Sequence, residues 1–510
     1  MIELCFKVKG FKNVMKKETS VTSEVKLEKK LNPLNVWALA FGCIIGWGSF
    51  VNPGKKFLPN SGTLGTIIAM VLGALIMIVI AMSYSYMVPK YPEAGGEFTF
   101  TKRCIGNRSA YICGWFLLAA YLTNVPMNST ALGLIVDGIF GDVLKFGFHY
   151  SIAGFEIYFG EMVFATLILV LFGVFCIKGV KVAGIVQTIL AITLAICVFT
   201  LTVSALLSDK TSLENLKPFF GFDKSAAAEA YRAAGIVDTS LYEHNDKMSI
   251  FSSVLATLAI APWAFVGFDT IPQAAEEFKF SARRVNVIMT VAIIFGCFVY
   301  SANNTITAAA LENWPELIAT DGSSWLLLTA AEKLLGIPGK ALVGTAVLCA
   351  VLSGIMGFYM ASSRLMYSMS LDGYLPTVFG KLDARSKTPR NAILFCMLIS
   401  LSGPILGREA LGWFVDMSAI GASIGYGFTC LCTIITLKRD GDNKKGLYVL
   451  AALGTAFSVM FMILQLIPIP GLESVHFCRE SYLMLVVWCV IGLAFYLSRR
   501  KKIHELTLNK

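Results

Sequence analysis

Two aspartates, Asp269 and Asp416, are the ionisable residues that fall well inside the long apolar runs of this 510-residue chain. A carboxylate in hydrocarbon is costly, so such residues mark binding, coupling or helix-end roles by default. The second candidate chemistry is that of interrupted backbone. One apolar run reads F-G-C-I-I-G-W-G-S-F-V-N-P-G, with Gly42, Gly46, Gly48, Pro53 and Gly54 breaking a segment that is otherwise helix-forming. Another reads A-P-W-A-F-V-G-F-D-T-I-P, broken at Pro262, Gly267 and Pro272. A broken helix offers unpaired carbonyls and partial negative charge where one half ends, and free N–H groups and partial positive charge where the next begins. In the first run the carbonyls fall near Ile44 and Ile45 and the N–H groups near Gly48 and Ser49; in the second, carbonyls fall near Phe265 and Val266. Such a pair of ends suits a zwitterion, whose ammonium and carboxylate use both at once. Glycine is required there because the ligand must approach the backbone closely.

These breaks need a frame, and composition supplies it. The chain is 56% hydrophobic and only 15% charged, against about 25% charged in an ordinary soluble domain. A soluble fold is thereby excluded. Apolar runs of about 17 to 27 residues follow one another, each able to cross a hydrocarbon core of roughly 30 Å. Twelve spans are expected: 34–53, 63–88, 110–136, 158–177, 182–207, 250–273, 285–311, 341–363, 391–406, 410–437, 447–469 and 482–498. The fold class is therefore all-α integral membrane. Residues 1–33 and 499–510 read as cytoplasmic tails and 208–249 as a hydrophilic extracytoplasmic loop, because 31 of the 43 Lys and Arg then lie inside. The net charge of +10 is mostly this inward bias, and implies contact with anionic lipid and no nucleic-acid partner. The cell membrane is the expected location, and the oligomeric state is not readable.

Several classes are disfavoured. Most of the 13 Cys lie within apolar runs, Cys430 and Cys432 are too closely spaced for a zinc ligand pair, and His149, His244, His476 and His504 lie in loops or the tail. No cofactor or metal site is expected. A membrane enzyme would need a nucleophile with its base, or a metal cluster, within the spans. A channel would need rings of charge or carbonyls across subunits. Broken helices at matched positions, first and sixth, instead fit two five-helix repeats of inverted topology, 34–207 and 250–437, followed by two peripheral helices at 438–498. Glu276 and Glu277, at the inner end of the sixth span, and Arg364, at the inner end of the eighth, read as interfacial anchors or a cytoplasmic salt bridge.

From Asn32 to Leu437 the sequence resembles the amino acid-polyamine-organocation permease family. Four segments carry the likeness: Gly42 to Gly54, similar to that family's first-helix glycine motif; Y-P-E-A-G-G-E-F-T-F-T-K-R-C-I-G at Tyr91 to Gly106; Phe265 to Glu277; and S-R-L-M-Y-S-M-S-L-D-G-Y-L-P at Ser363 to Pro376, with Thr388 and Pro389 beyond. The resemblance implies a leucine-transporter-like core of ten helices plus two, and alternating access around a central amino acid site. It places the substrate's amino and carboxyl groups on Ile44, Ile45, Gly46, Trp47, Gly48 and Ser49, an aromatic lid at Trp263, a further aromatic at Phe358 and a polar contact at Asn124. For Trp263 and Phe358 plain bundle packing is the alternative. Two departures stand out. Trp47 occupies a position where the family carries a small Ser, so the indole narrows the pocket or points into the bundle. The fifth span lacks the Lys that some proton-coupled members carry, which leaves exchange, another proton carrier or a cation site. Asp269 stands where the family usually has Glu, and either attracts a cationic group or caps the broken helix. Ser362 and Ser363 would line a sodium site between the eighth and first helices, unless they bond their own backbone. A neutral amino acid is the expected cargo, carried by exchange or ion-coupled symport. Polyamine transport and nutrient sensing without flux are the alternatives.

Overall fold

The computed structural model describes residues 27–152, 155–221, 250–312, 314–320, 325–407, 410–469 and 476–508. Most of the expected amino-terminal tail, His244 and residues 222–249 of the expected loop lie outside these segments. The chain enters its first helix, α1 (Pro33–Ile44), through a reciprocal cap. The Asn32 side chain accepts from the Asn35 N–H at 2.8 Å, the Asn35 side chain accepts from the Asn32 N–H at 3.2 Å, and Pro33 takes the first helical position. A break follows, then α2 (Gly48–Asn52) and a π-helical turn at Pro53–Phe57 that runs into α3 (Leu58–Lys90).

A short helix α4 (Gly96–Cys104) leads to α5 (Asn107–Phe140), and a two-stranded antiparallel hairpin, β1 (His149–Ile152) and β2 (Phe155–Tyr158), links α5 to α6 (Phe159–Lys178) and α7 (Val180–Leu207). The sixth span is three pieces, α8 (Ile250–Leu258), α9 (Ala261–Ala264) and α10 (Thr270–Gln273). Then come α11 (Val285–Ala310), α12 (Trp314–Thr320), α13 (Leu326–Leu335), α14 (Ile337–Leu371), α15 (Arg390–Ser400), α16 (Ser402–Leu406), α17 (Ala410–Arg439), α18 (Lys445–Leu466) and α19 (Arg479–Leu508).

Among the described residues, nine helices are long and apolar enough to cross a membrane. The expected first, sixth and ninth spans are the ones built from shorter pieces. The protein is a multi-pass membrane protein whose faces differ by depth. The apolar window of α5 is 83% buried, those of α18 and α19 only 28% and 11%. With no water outside, exposed Leu, Ile and Val on α7 and α19 are what a lipid-facing surface requires. Thus α5 is the centre of the bundle and the last two helices its rim. Trp115 of α5 meets Trp488 of α19 in a stacked pair at 4.7 Å, and the Tyr111 hydroxyl donates to Gly492 O at 2.7 Å.

At one end of the bundle, backbone stitches the entry of α1 to the exit of the sixth span. The Lys30 and Leu31 N–H groups both donate to Glu277 O at 3.0 Å, and Lys279 N–H returns to Leu31 O at 2.8 Å. The two broken segments are therefore joined both at their breaks and beyond them.

Candidate functional site

The breaks fall where glycine and proline spacing puts them, and they touch. Gly267 has φ +142°, and a Cβ there would lie 2.5 Å from Ile44 N and 2.7 Å from the Cys43 carbonyl carbon. Only glycine permits this backbone-to-backbone approach. Gly48 plays the same part towards a side chain, since its Cβ would fall 2.3 Å from the Trp263 ring. The indoles of Trp263 and Trp47 stand 6.2 Å apart at 55°, each 8% exposed.

The first break runs from Ile45, which is extended, to Gly48. Among the described residues, none accepts from the Gly46 or Trp47 N–H. Gly46 O takes the Ser49 hydroxyl at 3.0 Å and the Ser49 N–H at 3.3 Å. Tyr300 and Asn303 of α11 reach across, to Ile44 O at 3.4 Å and Ser49 O at 2.9 Å. In the sixth span, Gly267 O is doubly occupied by Thr270, whereas no donor among the described residues reaches Phe265 O or Val266 O.

The family resemblance implies a polar contact from the third span at Asn124. In the fold, Asn124 Nδ2 bonds Ala120 O and Ser418 Oγ, both at 2.7 Å. The amide next to the first break is Asn128, one turn on. Its Nδ2 donates to Asn124 O at 2.8 Å, while its Oδ1 is buried without a partner, 3.8 Å from where a Gly46 Cβ would be. Trp47 Nε1 is also buried and unpartnered, as is Asn303 Oδ1. Buried polar atoms are nearly always bonded. Three such atoms at or beside the first break mark a place made for something polar. The run N-V-P-M-N at Asn124 to Asn128 carried the signal, two amides four residues apart on one helix face.

Asp269 is fully buried. It accepts from the Gly267 N–H at 2.7 Å and from the Tyr121 hydroxyl at 3.0 Å. Phe358 is buried and packs against Tyr121 with ring centroids 6.2 Å apart. Ser363 Oγ donates to Met360 O at 3.0 Å and accepts from Arg364 Nη1 at 3.1 Å, which is the self-bonded alternative for that hydroxyl; Ser362 is fully buried one residue before it. Asp416 takes the Ser481 hydroxyl at 2.6 Å, tying α17 to α19.

Of the two readings of Glu277 and Arg364, the salt bridge is the one that forms, and it lies in the buried interior rather than at an interface. They form a bidentate pair, Nη2 to Oε1 at 2.9 Å and Nε to Oε2 at 3.2 Å, at 0% and 1% side-chain exposure. Asp269 and Asp416 are the carboxylates within the long apolar runs, but Glu97, which falls between the expected second and third spans, is interior as well: it lies on α4, which folds into the bundle and buries it completely. Glu97 accepts from the Tyr84 hydroxyl at 2.8 Å and from Gln273 Nε2 at 2.6 Å. The doubled glycine before it was the available sign. Gly95 and Gly96 take φ +99° and +44°, and turn the chain back so that α4 packs inward.

A profile of the family described as amino acid permease matches residues 31–495, nearly the whole chain. The chain belongs to the amino acid permease family. It is a membrane transporter and not an enzyme. Among curated relatives, it is 24% identical over 507 residues to the branched-chain amino acid permease BcaP of Bacillus subtilis (strain 168), covering 96% of each chain. It is 23% identical to the methylthioribose transporter of the same organism, covering 95% of each. To cationic amino acid transporter 4 of Mus musculus it is 23% identical, over 83% of this chain and 62% of that transporter's length. The permease family thus agrees with the likeness read from the four motifs.

Proposed function

We propose that this permease binds its cargo across the two breaks and carries it by alternating access. The observation that carries this reading is the set of polar groups left open at or beside the two touching breaks: the Gly46 and Trp47 N–H groups, Trp47 Nε1, Asn128 Oδ1, and the Phe265 and Val266 carbonyls. Free N–H groups suit a carboxylate, and carbonyls with an amide oxygen suit an ammonium. Ile44, Ile45, Gly48 and Ser49 complete the first half of the cradle. Gly267 lets the second half close on it, and Trp263 covers Gly48.

The cargo is a neutral amino acid. Neither Lys, Arg nor His occurs in the stretches 41–52 and 261–273 that form the breaks, and Asp269, the carboxylate within them, already holds the Gly267 N–H and the Tyr121 hydroxyl. The relation to a branched-chain amino acid permease supports a neutral side chain, which Trp47 and Trp263 would line. The excess of Lys and Arg in one set of loops supports a cell-membrane protein with both termini in the cytoplasm.

The test is uptake of a radiolabelled amino-acid mixture by liposomes holding the purified protein, with the lumen empty, with unlabelled amino acids inside, or with a proton or sodium gradient. Uptake that needs internal amino acid defines an exchanger, and gradient-driven uptake a symporter. Retained binding with no flux in any arm replaces transport with sensing.

A further inference from the structure

Behind the sixth break lies a second polar centre that the cradle does not use. Glu97 of α4 and Asp269 are both fully buried, and they meet at the two ends of one short helix: Asp269 precedes α10 and Gln273, its last residue, donates to Glu97. Among the described residues, neither carboxylate has a Lys, Arg or His side chain within ion-pair distance. Arg364 is closed on Glu277. The titratable groups around the pair are Tyr84 of α3, Tyr121 and Cys113 of α5, Tyr426 of α17 and Cys43 of α1, with the neutral Gln273 from α10. None of these supplies a positive charge.

Two anions in one low-dielectric pocket without a counter-cation repel each other and both pay desolvation, and a proton held on one of them removes most of that cost. A second feature points the same way. Tyr426, 0% exposed, has a hydroxyl with no hydrogen-bond partner, within electrostatic reach of both carboxylates. Its ring lies 5.3 Å from Phe268, beside Asp269, and 6.4 Å from Tyr84, whose hydroxyl holds Glu97. Gln273 Oε1 is likewise buried without a donor, while its Nε2 serves Glu97. The pocket therefore has spare capacity to accept and pass a proton.

We propose that Glu97 and Asp269 hold one exchangeable proton between them, and that its uptake and release accompany passage of the cargo. The pair is the coupling site that the charge-free fifth span lacks. This rests on the transport reading above, and the two elements explain the link. Asp269 is bonded to the break at Gly267, and Glu97 is bonded through Gln273 to the segment just beyond it. Any swing of the sixth span that opens the cradle must also remake the Gln273 to Glu97 contact. No bond other than O–H is made or broken, and the proton comes from water on one side and returns to water on the other.

The experiment uses the full chain in liposomes with a pH-sensitive dye in the lumen. Amino-acid entry in the wild type should carry protons inward. Glu97→Gln should lose that proton movement while still exchanging labelled for unlabelled amino acid at equal pH; Asp269→Asn should lose proton movement as well. Exchange without proton movement in the wild type overturns the proposal, as does unchanged proton movement in Glu97→Gln, or uptake driven by sodium alone. If the wild type exchanges nothing, the transport reading fails by itself, and infrared spectroscopy of the purified protein decides the proton site separately. A carbonyl band of a buried protonated carboxylic acid at neutral pH, lost in Glu97→Gln, supports the pair; no such band in the wild type rejects it.

Discussion

The two breaks are made by the same residues and left in opposite states. The first is neutral, and around it Trp47 Nε1, Asn128 Oδ1 and Asn303 Oδ1 are buried and open. The second is acidic and largely self-satisfied: Asp269 closes the Gly267 N–H, Glu97 is held by Tyr84 and Gln273, and Glu277 is locked to Arg364 beyond. Open polar groups are an invitation to a ligand, whereas closed ones hold a shape. The comparison assigns recognition to the first break and the two open carbonyls that face it from the second, Phe265 and Val266, and the fixing of conformation to the carboxylates of the second.

The sharpest test of that division is the ion pair. Removing one partner of a buried pair strands the other charge, at a cost of about 3–5 kcal/mol. Arg364→Met should therefore lower the thermal unfolding temperature of the detergent-solubilised protein strongly, and pairing it with Glu277→Leu should recover much of the loss. If Arg364→Met is as stable as wild type, the second break is not what holds the fold closed. Gly267→Ala comes next. The backbone there is open almost to glycine alone, which costs another residue about 1–3 kcal/mol, and the new methyl would meet backbone at Ile44 rather than a side chain able to swing aside. Flux should be lost and the unfolding temperature lowered. Gly48→Ala meets side chains rather than backbone, the edge of the Trp263 ring and Asn52 Nδ2, so it should cost less stability than Gly267→Ala and raise KM by displacing the indole.

A finer cut lies within α5. Asn128→Ala removes an acceptor that the protein itself does not use, together with one donor bond to Asn124 O within the same helix, so stability should fall less than in Asn124→Ala while substrate affinity falls by about 1.5 kcal/mol, roughly tenfold in KM. Asn124→Ala removes a group bonded to Ala120 and Ser418, and should cost about 1 kcal/mol of stability with little change in KM. The reverse pattern would return the recognition role to Asn124.

How far these parts were legible follows from the physics behind each. Long apolar runs and the helix-breaking residues are local properties of the chain, so the spans are legible in place if not always in length: 182–207 is expected where Val180–Leu207 forms, 341–363 falls inside the longer Ile337–Leu371, and the breaks at Gly46 and Gly267 are visible from glycine and proline alone. What escaped depends on distant partners. Whether Glu277 anchors at an interface or pairs in the interior is decided by Arg364, 87 positions away. Glu97 stands in a polar stretch that reads as a loop, and becomes interior only because Gly95 and Gly96 turn α4 inward against Gln273. Asn124 and Asn128 share one helix face, and which of them meets the first break is set by the rotation of α5 against α14 and α17.

The smallest effect belongs to charge that keeps its water, and it serves as the control. Asp440, just past the end of α17 and one third exposed, is paired with Lys90 and with Arg439, chiefly through the Lys90 hydrogen bond, which holds its carboxyl below the usual carboxylate range. A carboxyl lowered in the folded state contributes stability above its ordinary pKa of about 3.9 and loses it as pH falls through the lower folded value. Asp440→Asn should therefore depress the unfolding temperature slightly at pH 7, and the difference should vanish on acidification through the carboxylate range. Exposed pairs contribute little because water and salt screen them. Arg364→Met should behave otherwise, because a stranded Glu277 in a dry interior is penalised far more than a solvated carboxylate. If the two variants cost the same at pH 7, burial is not what gives the second break its hold, and the contrast between the breaks fails with it.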